Sequence, residues 1–192
     1  SDIGSHWADT ACCVLGKRIV AVFADMHTHH PVRIDPQTGN QIAIHSDDTT
    51  AVLLRFEDGT PGMLLASKAA SGHKNDLVVT VDGELCEFSW EQQTPDRLMI
   101  GRRETDNGEF FINRLTARPT SLPYISTPAG HVMGWSDALR NAISAFYNSI
   151  WQNTFAQPSQ PYATFEDGWR ANAFIEACIR SSNKHRWIEL DL

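Results

Sequence analysis

The sequence predicts an α+β fold: an open-faced, predominantly antiparallel β-sheet with helices packed on one face. Short apolar segments separated by turn residues follow one another through the middle of the 192-residue chain. The apolar period changes to that of helices in the last third, and the start of the chain is also helical in pattern. Strands joined by short turns pair antiparallel, which predicts one antiparallel sheet. The helices at the two ends of the chain are then expected to pack on one face of this sheet.

The elements are predicted from apolar periodicity and turn residues. A first helix is predicted at residues 5–15, because Gly16 suits the left-handed position after a helix end. Apolar, β-branched or alternating segments predict strands at residues 18–29, 49–56, 63–71, 77–81, 85–90, 98–102 and 187–190. Asp82-Gly83 is the strongest hairpin signal, because Asp-Gly supplies the positive φ that a tight turn needs.

Two helices are predicted in the last third of the chain. One begins at Ser136 and has an apolar stripe of Leu139, Ala142, Ile143, Phe146 and Ile150. The other extends to about residue 182, with Thr164 and Asp167 as a capping box and Ala171, Phe174, Ile175 and Cys178 facing inward. Because no repeat or linker interrupts the chain, we predict a single domain over residues 1–192.

Composition excludes several classes of protein. Hydrophobic residues make up 42% of the chain and charged residues 20%. Such a balance is typical of a soluble globular protein. The net charge of -7 argues against a nucleic-acid partner, and no apolar run is long enough to span a membrane. The four cysteines contain no C-x-x-C pair, which indicates free thiols in a reducing compartment. We therefore expect a cytoplasmic protein.

Two acids and an imidazole lie close together at the start of the chain. Asp2 and His6 flank Gly4, and His6 and Asp9 are spaced i,i+3, which places them on one helix face with Cys13. An Asp that holds a His in one tautomer makes a proton-transfer group active near neutral pH. The alternative is that Asp2 or Ser5 only caps the helix, with Asp9 as a first-turn acid.

Nucleotide-binding motifs are missing from this sequence. It contains neither the dinucleotide motif G-x-G-x-x-G nor the phosphate-binding motif G-x-x-x-x-G-K-[ST]. The hydrolase motif G-x-S-x-G is missing as well. We therefore expect that this chain alone binds neither NAD nor NADP.

The Asp2-x-Gly4-x-His6-x-x-Asp9 stretch resembles the D-x-G-x-H-x-x-D motif that opens the substrate domain of the Gfo/Idh/MocA oxidoreductases. The similarity continues, in order, through Gly72-His73-Lys74-Asn75, the Asp82-Gly83 hairpin, Pro128-Ala129-Gly130-His131, Gly134-Trp135-Ser136 and Tyr162-x-Thr164-Phe165-Glu166-Asp167-Gly168. These segments together cover nearly the whole chain.

The resemblance implies the C-terminal substrate and oligomerisation domain of an NAD(P)-dependent dehydrogenase or reductase of sugars and polyols. Family members bind NAD or NADP in an N-terminal Rossmann domain, and that domain is not in this chain. The family's D-x-x-x-H pair corresponds to Asp2, which would contact substrate, and His6, which would transfer the proton. The implied partners are the missing Rossmann domain, a small sugar or polyol and further copies of the chain in a homodimer or tetramer.

Other polar residues are weaker candidates. The predicted substrate contacts are Asp9, the segment His73-Lys74-Asn75, and His131. The segment can equally be an edge turn, and His131 can be a surface loop residue. His27 and His29 share a strand face and can chelate a metal, but no third ligand is evident, so we predict no metal site.

These observations leave two hypotheses about function. The first is the substrate domain of an oxidoreductase that transfers hydride between NAD(P) and a sugar or polyol carbinol, inactive without its cofactor domain. The second is a non-catalytic module for self-association or sugar binding.

Overall fold

The computed structural model describes residues 2–155 and 160–190, with side chains from Ile3 onward. In chain order the elements are α1 (Asp2–Leu15), β1 (Ile19–His27), β2 (Val32–Ile34), β3 (Gln41–Ala43), β4 (Thr49–Phe56), β5 (Pro61–Ser67), β6 (Val78–Asp82), β7 (Cys86–Glu91), β8 (Arg97–Arg102), β9 (Gly108–Phe111), a 3-10 helix (Leu122–Tyr124), α2 (Trp135–Trp151), α3 (Phe165–Lys184) and β10 (Ile188–Glu189). The predicted α+β class is confirmed.

The chain divides into two compact units. The first comprises Ser1–Lys74 and Thr164–Leu192, and the second comprises Asn75–Ala163. All strand pairs are antiparallel, but the described strands form three sheets where the sequence suggested one. Which strands join into one sheet depends on which of them pair and in what register, and the local sequence pattern does not specify this.

The main sheet of the first unit has the strand order β10-β1-β4-β5. Alternation along β4 buries Val52, Leu54 and Phe56, whereas Leu53 and Arg55 are exposed. The buried residues of the sheet pack with side chains of α1 and α3, chiefly Ala8, Phe174, Ala177 and Cys178. The helices therefore cover one face of this sheet, as predicted.

Helix α1 begins earlier than predicted. It starts at Asp2 instead of Ser5, so Gly4 is helical and Ser5 lies inside the helix, where it cannot be the N-cap. A Cβ added at Gly4 would lie 3.8 Å from Ile175 Cδ1, which is an ordinary van der Waals distance. The packing of α1 on α3 therefore does not require glycine at this position. Gly16 has a φ of 63°, which confirms the left-handed helix end.

The hairpin of β2 and β3 lies in a segment for which the sequence predicts no strand. Its strands are exposed and only three residues long, too short for the alternation in Val32-Arg33-Ile34 to predict a strand. The turn is stabilised by Asp35, whose carboxylate accepts hydrogen bonds from the Gln37 N–H and the Thr38 hydroxyl, both at 2.8 Å. Gly39 follows with a φ of 72°.

The second unit contains the sheet β6-β7-β8-β9 and α2. The predicted hairpin of β6 and β7 is confirmed, but Gly83 does not have a positive φ. A Cβ at Gly83 would lie 2.9 Å from the Cys86 carbonyl oxygen. Glycine is therefore required here for a close backbone approach and not for a left-handed turn.

The N-terminus of α3 matches its prediction and that of α2 differs. The Asp167 N–H donates to Thr164 Oγ1 at 3.3 Å, and the Thr164 N–H donates to Asp167 Oδ2 at 2.7 Å. This pair of hydrogen bonds confirms the capping box. Helix α2 is capped by Gly134 instead of Ser136, and the Gly134 N–H donates to Asp137 Oδ2 at 3.0 Å. Among the described helices, none is long and apolar enough to cross a membrane.

Candidate functional site

His6 lies on the exposed face of α1. The opposite face holds Ala8 and Ala11, which are buried and fix the orientation of the helix. Asp9 and Cys13 are also exposed, so the predicted common face of His6, Asp9 and Cys13 is confirmed. Four residues before His6, Asp2 occupies a position on this same face, although its side chain lies outside the described part of the chain.

Asp9 lies where α1 approaches the first turn of α3. Burial raises the pKa of its carboxyl, the nearby Asp167 raises it further, and His6 opposes both effects. Asp9 also lines a small cleft with Asp167 and Arg170, whose guanidinium lies 3.9 Å from Asp167. Asp9 therefore shares an electrostatic environment with His6, and its contact with substrate stays a prediction.

A cavity of about 120 Å³ lies beside the first turn of α1, where Ile3 and Gly4 line it. Its apolar lining comes from β1, β4, β5 and α3, and includes Val52, Leu64 and Phe174. Its polar lining comes from strand ends and the loop before β4: Ser46, Asp47, Asp48, Thr50, Ser67 and Lys68. The sequence pattern did not identify these polar residues as part of a site. Their only signal in the sequence is the acidic pair Asp47-Asp48 just before β4.

Asp48 is the structural centre of this polar lining and is 5% exposed. Its two carboxylate oxygens accept the His29 N–H at 2.8 Å and the His30 N–H at 2.9 Å. Its own N–H donates to the His27 carbonyl at 3.0 Å, and its carbonyl accepts the Lys68 N–H at 2.7 Å. The ends of β1 and β5 and the start of β4 are thereby held together around the cavity.

The imidazoles of His27 and His29 are in edge contact, with ring centroids 4.3 Å apart. In the described part of the chain, no group of three or more His, Cys, Asp and Glu side chains could hold a metal ion.

The remaining predicted substrate contacts lie on loops. His73 and Lys74 are exposed at the end of one segment of the first unit, and the adjacent Asn75 begins the second unit with a φ of 54°. His131 is exposed in the second unit, where its N–H donates to the Pro128 carbonyl at 3.2 Å after Gly130. Their roles toward substrate stay predictions.

Neither α2 nor α3 begins in the way that a dinucleotide site requires. A pyrophosphate is normally bound where a strand leads through a glycine turn into a helix. Helix α2 follows a 3-10 helix and a long loop, and α3 follows α2, so neither has that arrangement.

Almost the whole chain matches one known protein family. The family described as "Oxidoreductase family, C-terminal alpha/beta domain", the C-terminal part of the Gfo/Idh/MocA proteins, matches residues 1–190. The chain belongs to this family. The Gfo/Idh/MocA resemblance of the first helix and the later motifs is thereby confirmed for the chain as a whole.

Solved structures show the same fold. An oxidoreductase from Sinorhizobium meliloti aligns with a TM-score of 0.83 and 31% identity over 97% of this Gfo/Idh/MocA chain and 51% of its own. A levoglucosan dehydrogenase in complex with NADH and L-sorbose aligns with a TM-score of 0.85 and 20% identity over 99% of this chain and 49% of its own.

An inositol dehydrogenase homolog from Azotobacter vinelandii, complexed with NADH and myo-inositol, aligns with a TM-score of 0.83 and 17% identity over 98% of this chain and 49% of its own. This Gfo/Idh/MocA chain thus spans about half the length of these structures. No curated protein sequence matches it.

Proposed function

We propose that this chain is the substrate-binding half of an oxidoreductase that moves hydride between NAD or NADP and a carbinol carbon of a sugar or polyol. The observation that supports it most is the position of His6. It lies on the exposed face of α1, one turn after Asp2 and one turn before Asp9. The cavity is lined by Ile3 and Gly4 of the first turn of this helix, and His6 lies outside that lining.

His6 is the proton-transfer group of this proposal. A neutral imidazole removes the proton of the substrate hydroxyl as hydride departs, and an imidazolium returns it in the opposite direction. Asp2 orients His6 or accepts a hydrogen bond from a neighbouring substrate hydroxyl. The hydride is carried by NAD or NADP bound to an N-terminal Rossmann domain, since neither α2 nor α3 follows a strand through a glycine turn.

Sugars and polyols are proposed as substrates on two grounds. Two of the structures with this fold contain L-sorbose and myo-inositol. The cavity beside α1 combines an apolar floor with carboxylate, hydroxyl and ammonium groups from Asp47, Thr50 and Lys68, a set that can bond a polyhydroxylated molecule. Asp9, His73, Lys74, Asn75 and His131 are proposed as further substrate contacts. We also propose a cytoplasmic location, consistent with the four free cysteines.

Self-association is a second proposed function, and the uncovered face of the main sheet favours it. Leu53, Met63 and Leu65 are 50%, 73% and 74% exposed on that face. In the β4–β5 pair, Leu53 lies opposite Met63 and Ala51 lies opposite Leu65, so the three side chains are neighbours. An apolar patch of this kind marks an interface, and we propose a homodimer or larger assembly through it.

The experiment is a kinetic comparison in the full-length enzyme. His6→Ala removes the acid/base group, so kcat should fall by about 10²–10⁴-fold while the affinity for the nicotinamide cofactor stays nearly unchanged. Asp2→Asn should lower the rate more than the stability, because Asn still suits a helix N-terminus. Initial rates with a panel of sugars and polyols, together with thermal unfolding, provide both readouts.

His45→Ala is the matched control, since His45 is an exposed histidine of the same unit that lies outside α1. It should change neither kcat nor the unfolding temperature. A near-normal kcat in a His6→Ala enzyme that has lost stability would contradict the catalytic role and leave the histidine as a structural residue of α1.

A further inference from the structure

Helix α2 has two faces of opposite character. The side chains of Leu139, Ile143, Phe146 and Ile150 form the apolar face, and each is 45–50% exposed. The other face has Asn141, Ser144, Asn148, Ser149 and Gln152, which recur at helical spacing. This polar face forms one wall of a groove of about 370 Å³ within the second unit.

The walls of this groove are fixed by hydrogen bonds. Asn141 Nδ2 donates to the Tyr124 carbonyl at 2.9 Å, which joins α2 to the 3-10 helix. The buried Ser149 hydroxyl lies 2.8 Å from the Tyr162 hydroxyl, and Gln160 Nε2 donates to the Thr154 carbonyl at 2.7 Å. The groove is therefore a built feature and not a gap between loosely packed segments.

Three exposed polar side chains form a row along the wall of the groove that α2 provides. Ser144, Asn148 and Gln152 are spaced i,i+4,i+8 along α2 and its C-cap. Because an α-helix rises about 1.5 Å per residue, the first and the last of them lie about 12 Å apart. Within the described part of the chain, these three side chains form no hydrogen bond with other residues. Together they offer donors and acceptors, since an amide has both.

The described residues that line the groove include no Asp, Glu, Lys, Arg or His, although the chain has a net charge of -7. A charged ligand would gain no counter-charge from these residues. A neutral ligand with several hydroxyl groups can instead exchange its water contacts for the amides and the Ser144 hydroxyl. The side chains of Pro123, Tyr124 and Pro161 supply apolar surface beside them.

We propose that this groove is a binding site for a neutral polyhydroxylated molecule of monosaccharide to disaccharide size. Its volume lies within the range of small-molecule sites. The site lies entirely in the second unit and uses neither α1 nor the cavity beside it. It is therefore independent of the proposed catalytic role, and a failure of either proposal leaves the other standing.

The test uses the 192-residue chain labelled with ¹⁵N, and follows the side-chain amide resonances of Asn148 and Gln152 by NMR. Glucose, maltose and myo-inositol are titrated as neutral probes, with gluconate and glucosamine as charged molecules of similar size to glucose. Saturable shifts are expected with the neutral probes and weaker binding with both charged ones. The double variant Ser144→Ala/Asn148→Leu should weaken binding about tenfold, since it removes two hydrogen-bonding side chains.

Asn172→Leu is the matched control, because it makes a similar change on the exposed surface of α3 and should leave binding unchanged. Leu and Ala favour helix over Asn and Ser, so the double variant should keep its fold, which circular dichroism and the unfolding temperature check. Four results would each overturn the proposal: no saturable shift with any neutral probe, equal affinity for gluconate or glucosamine, unchanged affinity in the double variant, or resonances that shift with protein concentration alone.

Discussion

Ser181 Oγ, completely buried, accepts the backbone N–H of Ala24 at 2.9 Å. In the sheet, β10 pairs with β1 only at Ala21 and Val22, so the N–H of Ala24 lies beyond the end of that strand. The Ser181 hydroxyl also donates to the Arg186 carbonyl at 2.6 Å. The last turns of α3 thus supply the hydrogen-bond acceptor that a paired strand would otherwise provide for this part of β1.

Ser181→Ala should destabilise the chain by about 1–3 kcal/mol, because it leaves the buried Ala24 N–H without an acceptor. Ser182→Ala is the comparison, since the Ser182 hydroxyl accepts the Met26 N–H at 3.1 Å in a less buried position. The loss there should be smaller. Urea unfolding of both variants measures the difference, and equal losses would contradict the importance of burial at Ala24.

Asp48 should make stability dependent on acid pH. The His29 N–H lowers the pKa of its carboxyl most, desolvation opposes this, and the His30 N–H lowers it further. A carboxyl with a lower pKa in the folded state stabilises the fold above its unfolded pKa, about 4, and this contribution is lost as pH falls through the folded pKa.

Asp48→Asn should therefore lower the unfolding temperature near neutral pH, because an amide cannot accept both N–H groups. Its unfolding temperature should also fall less between about pH 5 and pH 3 than that of the unchanged chain. Asp25→Asn, an exposed change on β1, is the control and should follow the unchanged chain. Identical pH profiles for Asp48→Asn and the unchanged chain would contradict the role of this carboxylate.

The cysteines should differ in reactivity. Burial raises the pKa of the Cys178 thiol to about 12, whereas Cys13 is exposed on α1. Because the thiolate is the nucleophile, iodoacetamide at about pH 8 should alkylate Cys13 in the folded chain and Cys178 only after unfolding. Peptide mass spectrometry identifies the modified sites, and Cys13→Ser is the control. Rapid labelling of Cys178 without denaturant would be incompatible with its burial.

The open sheet face should be an interface between copies. Leu65→Asp places a charge in its centre and should convert the assembly to monomer, as measured by light scattering at high micromolar concentration. Val14→Asp introduces the same charge at an exposed apolar residue of α1 and should leave the assembly intact. A monomeric unchanged chain at that concentration would refute the proposed interface.

The chain by itself should not bind the nicotinamide cofactor. It has no glycine turn leading from a strand into a helix among its described residues, so a pyrophosphate has no cradle of backbone N–H groups there. Calorimetric titration of the 192-residue chain with NADH and NADPH should give no saturable heat. Tight binding of either would require a nucleotide site that the glycine pattern does not predict.

The elements determined by neighbouring residues could be predicted from the sequence. The capping box of Thr164 and Asp167, the helix end at Gly16 and the alternation along β4 each depend on residues a few positions apart. The shared face of His6 and Asp9 follows in the same way from helical spacing. These were confirmed because no distant contact competes with them.

Local reasoning failed where an element lacks a buried face or depends on a close approach. The β2–β3 hairpin has no buried face, because both of its three-residue strands are exposed. Gly83 is needed for its distance to the Cys86 carbonyl, which follows from the register of β6 and β7.

By itself the sequence determined the α+β class, most helices and strands, the family resemblance and the candidate residues on α1. Only the tertiary structure decided the polar lining of the cavity, the hydrogen bonds of Asp48 and the contact between Ser181 and Ala24, which are 157 residues apart. The physical reason is that propensity and periodicity depend on residues within a few positions. Which strand ends and helix turns meet depends instead on pairing register and core packing across the whole unit.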